Sequence, residues 1–216
     1  MKKPSSQPLI LGIMLAVLSS CSKDIEVIKA VSAGFVNCYT DSEGYVSVMS
    51  DDMGNSYMVN EKSEKLRPDT TYRMVCSYTF GESSTVKIDQ MIPTYSGRIA
   101  GELNYMAMEE SSFPKKNEMN DPVNIELAYP GSGYLNIRLG IKVGGKQSSH
   151  EFQVVHVNDS EKVRFRVYHN AAGDDEGYTL NAYLSVPLTG FGLSRGDSIY
   201  LSSNGYDKDY NLVMVY

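Results

Sequence analysis

Strict alternation of apolar and polar residues over whole segments constrains this chain most. Leu135, Ile137, Leu139, Ile141 and Val143 alternate with Asn136, Arg138, Gly140 and Lys142. Tyr178, Leu180, Ala182, Leu184 and Val186 alternate with Thr179, Asn181, Tyr183 and Ser185. Val123, Ile125, Leu127 and Tyr129 do the same with Asn124, Glu126 and Ala128. Successive side chains of a strand point to opposite faces, so a period of two means half-buried strands and excludes amphipathic helices here. Each strand must lay its apolar face on a second layer. Residues 122–216 therefore read as an antiparallel β-sandwich.

One hairpin of that sandwich can be given a register. Taking Asp159-Ser160 as a two-residue turn sets Phe152 opposite Val167, Val154 opposite Phe165 and His156 opposite Val163. A slip of one residue would send these side chains to opposite faces. The same register puts His150 opposite His169, with side chains about 5 Å apart.

The first half is also all strand, in shorter pieces. Residues 34–95 give five segments, near Phe35–Tyr39, Tyr45–Met49, Ser56–Val59, Tyr72–Phe80 and Thr85–Ile92. Turn signals divide them: Asp41-Ser42-Glu43-Gly44, Asp51-Asp52-Met53-Gly54, Pro68-Asp69 and Gly81-Glu82. Five short strands suit a small OB-like closed barrel, with a five-stranded sandwich fragment as the alternative. Residues 96–121 read as a linker. Arg98 to Glu110 carries a short helical signal weakened by Gly101, and Ser111 to Asn117 is polar and contains Pro114.

Ahead of both halves stands a leader. Lys2 and Lys3 precede an apolar run from Leu9 to Leu18, about half the length needed to cross a bilayer as a helix. Residues 1–20 thus have the proportions of a secretory signal peptide. Leu18-Ser19-Ser20-Cys21 resembles the lipobox of bacterial lipoproteins, which implies cleavage before Cys21 and lipid attachment to it. Several acyl chains would make such an anchor close to permanent. Residues 21–33 then form a tether. Ser22-Lys23-Asp24 followed by Glu26 resembles the export signal of surface lipoproteins of Bacteroidetes. The expectation is a protein held in the outer membrane by its N-terminal lipid and facing the cell surface, with a periplasm-facing position as second choice.

Charge narrows the partners. Formal net charge is −6, and losing Lys2 and Lys3 with a leader makes the chain more acidic still. A pI near 5.1 argues against nucleic acid as a partner. Sixteen tyrosines but no tryptophan leave tyrosine as the stacking residue for any sugar. The expected partner is a protein or glycan ligand. No cofactor is expected.

The residues that could carry chemistry do not assemble into a catalytic pattern. His150 and His169 make at most half a zinc site, so no metal is expected. Asp174-Asp175-Glu176 and Asp51-Asp52 are clustered carboxylates in turns, not the spaced oxygen ligands of a calcium loop. No Gly-x-Ser-x-Gly elbow is present, and Gly131-Ser132-Gly133 lacks the strand-to-helix setting of a phosphate loop. No catalytic residues and no enzyme activity are assigned. Cys38 and Cys76 fall on the more apolar faces of two strands, where they can pair as a disulfide or stay as buried thiols. Arg138, Arg164, Arg166, Tyr168 and Tyr183 project from the polar sides of their strands. Together they form a candidate ligand surface able to pair with anions and to stack.

A family resemblance follows from particular stretches. "GYLNIRLGIKVGG" from Gly133 and "VRFRVYHNAAGDDEGYTLNAYLSVPL" from Val163 resemble the NigD-like lipoproteins of Bacteroidetes. "GNSYMVNEK" and "LRPDTTYRMVCSYTF" resemble the first half of that family less specifically. The resemblance implies an N-terminal OB-like domain plus a C-terminal β-sandwich. It implies no catalytic residue. The family's name comes from a bacteriocin-associated gene cluster, which raises an immunity-like role as an alternative, with a glycan-acting envelope enzyme behind it.

Overall fold

The computed structural model of the protein describes residues 31–93, 108–109, 118–145, 150–157 and 162–216. The expected signal peptide, Cys21 and nearly all of the expected tether lie outside the described residues. Among those described, every regular element is a strand.

Five strands close the first barrel: β1 (Val31–Thr40), β2 (Val46–Asp51), β3 (Ser56–Val59), β4 (Thr71–Phe80) and β5 (Thr85–Pro93), in the order β1-β2-β3-β5-β4. β3 and β5 pair in parallel and the other neighbours are antiparallel. Closure leaves no open sheet edge. Val36, Cys38, Met49, Tyr72, Met74 and Cys76 fill the interior. β1 starts at Val31, inside the stretch expected to be tether.

The second unit is a sandwich. Its smaller sheet runs β11 (Tyr178–Pro187), β8 (Tyr134–Val143), β7 (Asn124–Gly131), all antiparallel. Its larger sheet runs β13 (Tyr210–Val215), β12 (Ser198–Ser203), β10 (Val163–Asn170), β9 (Glu151–Val157), β6 (Met108–Glu109). Within this sheet β9–β10 and β12–β13 are antiparallel, while β10–β12 and β6–β9 are parallel. Between the sheets lie Leu135, Ile137, Leu139, Phe165, Leu184 and Leu201, all essentially without solvent contact. Leu135, Ile137, Leu139 and Leu184 are alternating residues of the sequence, so there the period of two set the core directly.

Three local expectations need correction. Met108 and Glu109, at the end of the expected helix, form strand β6; the rest of that helix lies outside the described residues. The β9–β10 register is shifted by two residues: Val154 lies opposite Val167 and Phe152 opposite His169. An even shift keeps every inward side chain inward, so the apolar pattern cannot detect it. Asp159 and Ser160, the expected turn, lie outside the described residues. Lastly, β7 carries a bulge between Ile125 and Leu127, with Glu126 as the extra residue. Beyond it the faces reverse. Ala128 packs against the core, Leu127 is 44% exposed, and Tyr129 turns to the outer face.

That outer face is where the barrel docks. Phe35 and Arg73 alternate with interior residues of the barrel and so point outward, yet both are buried. Phe35 meets the rings of Tyr129 and Tyr183 edge-on, with centroids 6.2 and 5.9 Å away. Ser132-Gly133 makes the β7–β8 turn with positive φ at both residues, the pairing a two-residue hairpin favours. The turn reaches the barrel, where Ser132 Oγ donates to the Asp51 carbonyl.

Candidate functional site

The candidate ligand surface divides between two faces. Arg138 and Tyr183 sit opposite each other on β8 and β11, on the outer side of the smaller sheet. Tyr183 packs on Phe35 of the barrel, and Arg138 forms an ion pair with Glu126 at 3.2 Å. Both are engaged within the molecule. Arg164, Arg166 and Tyr168 instead lie along β10, on the outer side of the larger sheet, which the barrel contacts described above do not involve.

On that second face the cations are ordered by rings. The Arg164 guanidinium lies 4.5 Å from the Tyr200 ring centroid, and Lys162 Nζ lies 5.4 Å from it. Arg166 lies 5.1 Å from the ring of Tyr168. Beside these residues a groove of about 350 Å³ runs over β10, β12 and β13, lined by Arg164, Arg166, Tyr200, Ser202, Asn211 and Val213 among others. No carboxylate is among its described lining residues. Arg166 Nε is buried and makes no hydrogen bond. Sequence reasoning did not include Tyr200, Asn211 or Val213. The outward positions of β12 and β13 could have been read from alternation, but their parallel junction with β10 could not.

A second polar constellation welds the two units together. Arg73 of β4, fully buried at its side chain, meets Asp52 of the β2–β3 turn at 2.5 Å. It also donates to Asn136 Oδ1 at 2.8 Å and Ser185 Oγ at 3.0 Å, both on the smaller sheet. Asn136 Nδ2 and Tyr129 Oη in turn donate to Asp52 Oδ2 at 2.8 and 3.0 Å. Burial, then the charge of Asp52, raises the Tyr129 hydroxyl well above the ordinary tyrosine value. These bonds tie side chains of the barrel to side chains of the smaller sheet, so the cluster acts as a clamp between the two units. Asp52 is thus more than a turn carboxylate, since it reaches Arg73, Tyr129 and Asn136. Asp51 does serve its turn, accepting from the backbone of Met53 and Asn55. Nothing in the alternation marked the cluster: Asn136 stands at an ordinary polar position of β8, like Arg138 and Lys142.

The histidine pair is also in contact. His150 Nδ1 and His169 Nε2 are 2.9 Å apart, and their ring centroids 5.1 Å. The expected separation is met, but with Phe152, not His150, opposite His169. His169 Nδ1 lies 3.0 Å from the carbonyl of Pro122, so it carries a proton there and Nε2 must accept. His150 then donates from Nδ1. Its Nε2 faces Asp174 Oδ2 at 3.3 Å. Asp174 also accepts from the backbone of Gly144, while Glu176 pairs with Lys142. The three acidic residues of that turn thus diverge. No group of three or more potential metal ligands occurs among the described residues.

Cys38 and Cys76 face each other inside the barrel as free thiols, with sulfurs 3.7 Å apart. The contact with Cys38, then burial, pushes the Cys76 thiol far above its ordinary range. Both are buried, away from reagents in solvent.

The family model described as the NigD-like C-terminal beta sandwich domain matches residues 105–215. Among solved structures, a NigD-like immunity protein from Bacteroides caccae superposes with a TM-score of 0.67 at 25% identity, covering 85% of this chain and 92% of that one. A putative toxin-related protein from Parabacteroides distasonis gives 0.65 at 16% identity, covering 87% and 93%. A putative lipoprotein from Bacteroides fragilis gives 0.61 at 11% identity, covering 87% and 98%. The sequence matches no curated protein.

Proposed function

This chain belongs to the NigD-like family, and from that premise we propose that it is a lipid-anchored envelope protein that acts by binding and not by catalysis. One observation carries the binding reading: the Arg164–Arg166–Tyr168 face is ordered by stacking and bears a groove without a carboxylate among its described lining residues. Hydrolysis of a glycan commonly uses two carboxylates about 5–10 Å apart in one cleft, and the described lining residues of that groove include none. The leader ending in Cys21 supports the anchor, with the outer membrane as its place and the cell surface as the facing side. Barrel and sandwich are then presented together beyond the tether. Affinity capture from intact cells tests this, with Cys21→Ala as control. The anchored protein should retain a specific partner and fractionate with outer membrane. Release of the unaltered protein into the soluble fraction would defeat the anchor.

An immunity-like role is the second reading, favoured by the 25% identity to a protein described as a NigD-like immunity protein. Here the bound partner would be a toxin. Deleting the gene and challenging cells with bacteriocins should then raise sensitivity, and unchanged killing would count against it.

A further inference from the structure

We propose that the sulfur atoms inside the barrel form a binding site for one Cu(I) ion, held between Cys38 and Cys76 with Met49 and Met91 as further donors. The site is separate from the β10 face and does not depend on it. Three observations lead to it.

The first is the company the thiols keep. Four of the nine residues buried at the heart of the barrel carry sulfur, namely Cys38, Met49, Met74 and Cys76. Met49 lies directly opposite Cys38 across β1 and β2. Met91 lies directly opposite Cys76 across β4 and β5 and packs against the same core. Opposed residues share a face with their Cβ atoms about 5 Å apart, a gap that a flexible thioether can span. Histidine, cysteine and carboxylate side chains alone make no group of three among the described residues; the methionines complete the donor set. Thiolate with thioether is the soft combination that selects Cu(I).

The second is spacing. The two cysteine sulfurs are 3.7 Å apart. Two sulfurs each about 2.3 Å from one tetrahedral ion stand about 3.8 Å apart. A disulfide fits the pair less well. Cys38 lies opposite Tyr72 and Cys76 opposite Gly34, so the cysteines are displaced along their strands and not opposed. Residues displaced by two are already about 7–8 Å apart, where a disulfide needs backbone movement, and these are displaced further. An ion bridges the sulfurs where they stand. As Cu(I) enters, one thiol proton leaves for solvent, and the dry interior gains no net charge.

The third is a way in. Both thiols are buried, but Met91 is only partly so. It also lines a groove of about 360 Å³ on the barrel, where Glu64 and Asp89 outnumber Lys62. A cation is drawn to that mouth, and a soft one can pass from the Met91 thioether to Cys76 by ligand exchange.

The test uses the Cys21→Ala protein, whose only cysteines are Cys38 and Cys76. Cu(I) itself is titrated without oxygen against a chromophoric Cu(I) chelator. One ion should bind per chain, show a first shell of sulfur alone by X-ray absorption, and raise the melting temperature. Zinc should bind more weakly. Cys38→Ser combined with Cys76→Ser should abolish binding. Met91→Leu, close in volume, should weaken it at least about tenfold and slow loading. Met58→Leu, at an exposed position of β3, should change neither. Thermal melts confirm folding, and Met91→Leu decides the matter if the serine variant does not fold. No binding, binding kept by the serine variant, nitrogen or oxygen in the first shell, tighter binding of zinc, or indifference to Met91→Leu would overturn the proposal.

Discussion

His169 is kept neutral by where it sits. Burial is the main reason its pKa falls below 6.5, and the neighbouring His150 adds to it, against an opposing hydrogen bond to Pro122. As pH drops, the unfolded chain therefore takes up this proton before the folded one does. The stabilisation is complete above about pH 6.5 and is lost as pH falls through that value toward the folded pKa, by up to about 1.4 kcal/mol per pH unit. Urea midpoints at pH 7.5 and 5.5 should differ more for wild type than for His169→Gln; equal differences would refute this account. The barrel thiols allow a second check at the same scale. With Cys21→Ala, Cys38 and Cys76 should resist iodoacetamide in the native protein and both react in denaturant. Rapid native labelling of either would contradict their burial.

Among elements, β7 shows most clearly what alternation can and cannot say. Its apolar period is unbroken in the sequence, yet one inserted residue at Glu126 hands Leu127 and Tyr129 to the other face. A bulge adds a residue without altering composition, so nothing in the pattern marks it. The two-residue shift of β9 against β10 left no trace for a different reason, since an even shift keeps each side chain on its face. Existence and facing of β8, β10 and β11 were readable because each buries one whole face. Their neighbours were not, since parallel pairing of β10 with β12 depends on contacts distant in sequence. This also limited the candidate surface: Arg164, Arg166 and Tyr168 were found together, but the belief that Arg138 and Tyr183 joined them required a sheet order that alternation does not contain. The turn that ends β7 gives a quantitative test. Gly133 has φ of 79°, and Gly133→Ala should lower stability by about 1 kcal/mol through backbone strain, measured by urea unfolding. Its Cβ would meet no neighbour within 4 Å, so a loss much above that would point to another cause.

For the whole molecule, Arg73 decides whether barrel and sandwich behave as one body. Removing one partner of a buried ion pair leaves the other stranded, typically at a cost of about 3–5 kcal/mol. Arg73→Ala should therefore unfold at much lower urea. It should also separate barrel from sandwich, so that alkylation of Cys76 precedes loss of sandwich structure by circular dichroism. In the wild type the two should coincide; a single transition retained in the variant would show that apolar contacts such as Phe35 with Tyr183 suffice. The same clamp bears on ancestry. Asp52 and Arg73 come from the first half of the chain, Asn136 and Ser185 from the second, and each answers the others' protons and lone pairs. A lineage cannot replace one of them at leisure, because the halves have to drift in step. A chimera joining this barrel to a relative's sandwich would inherit half a lock.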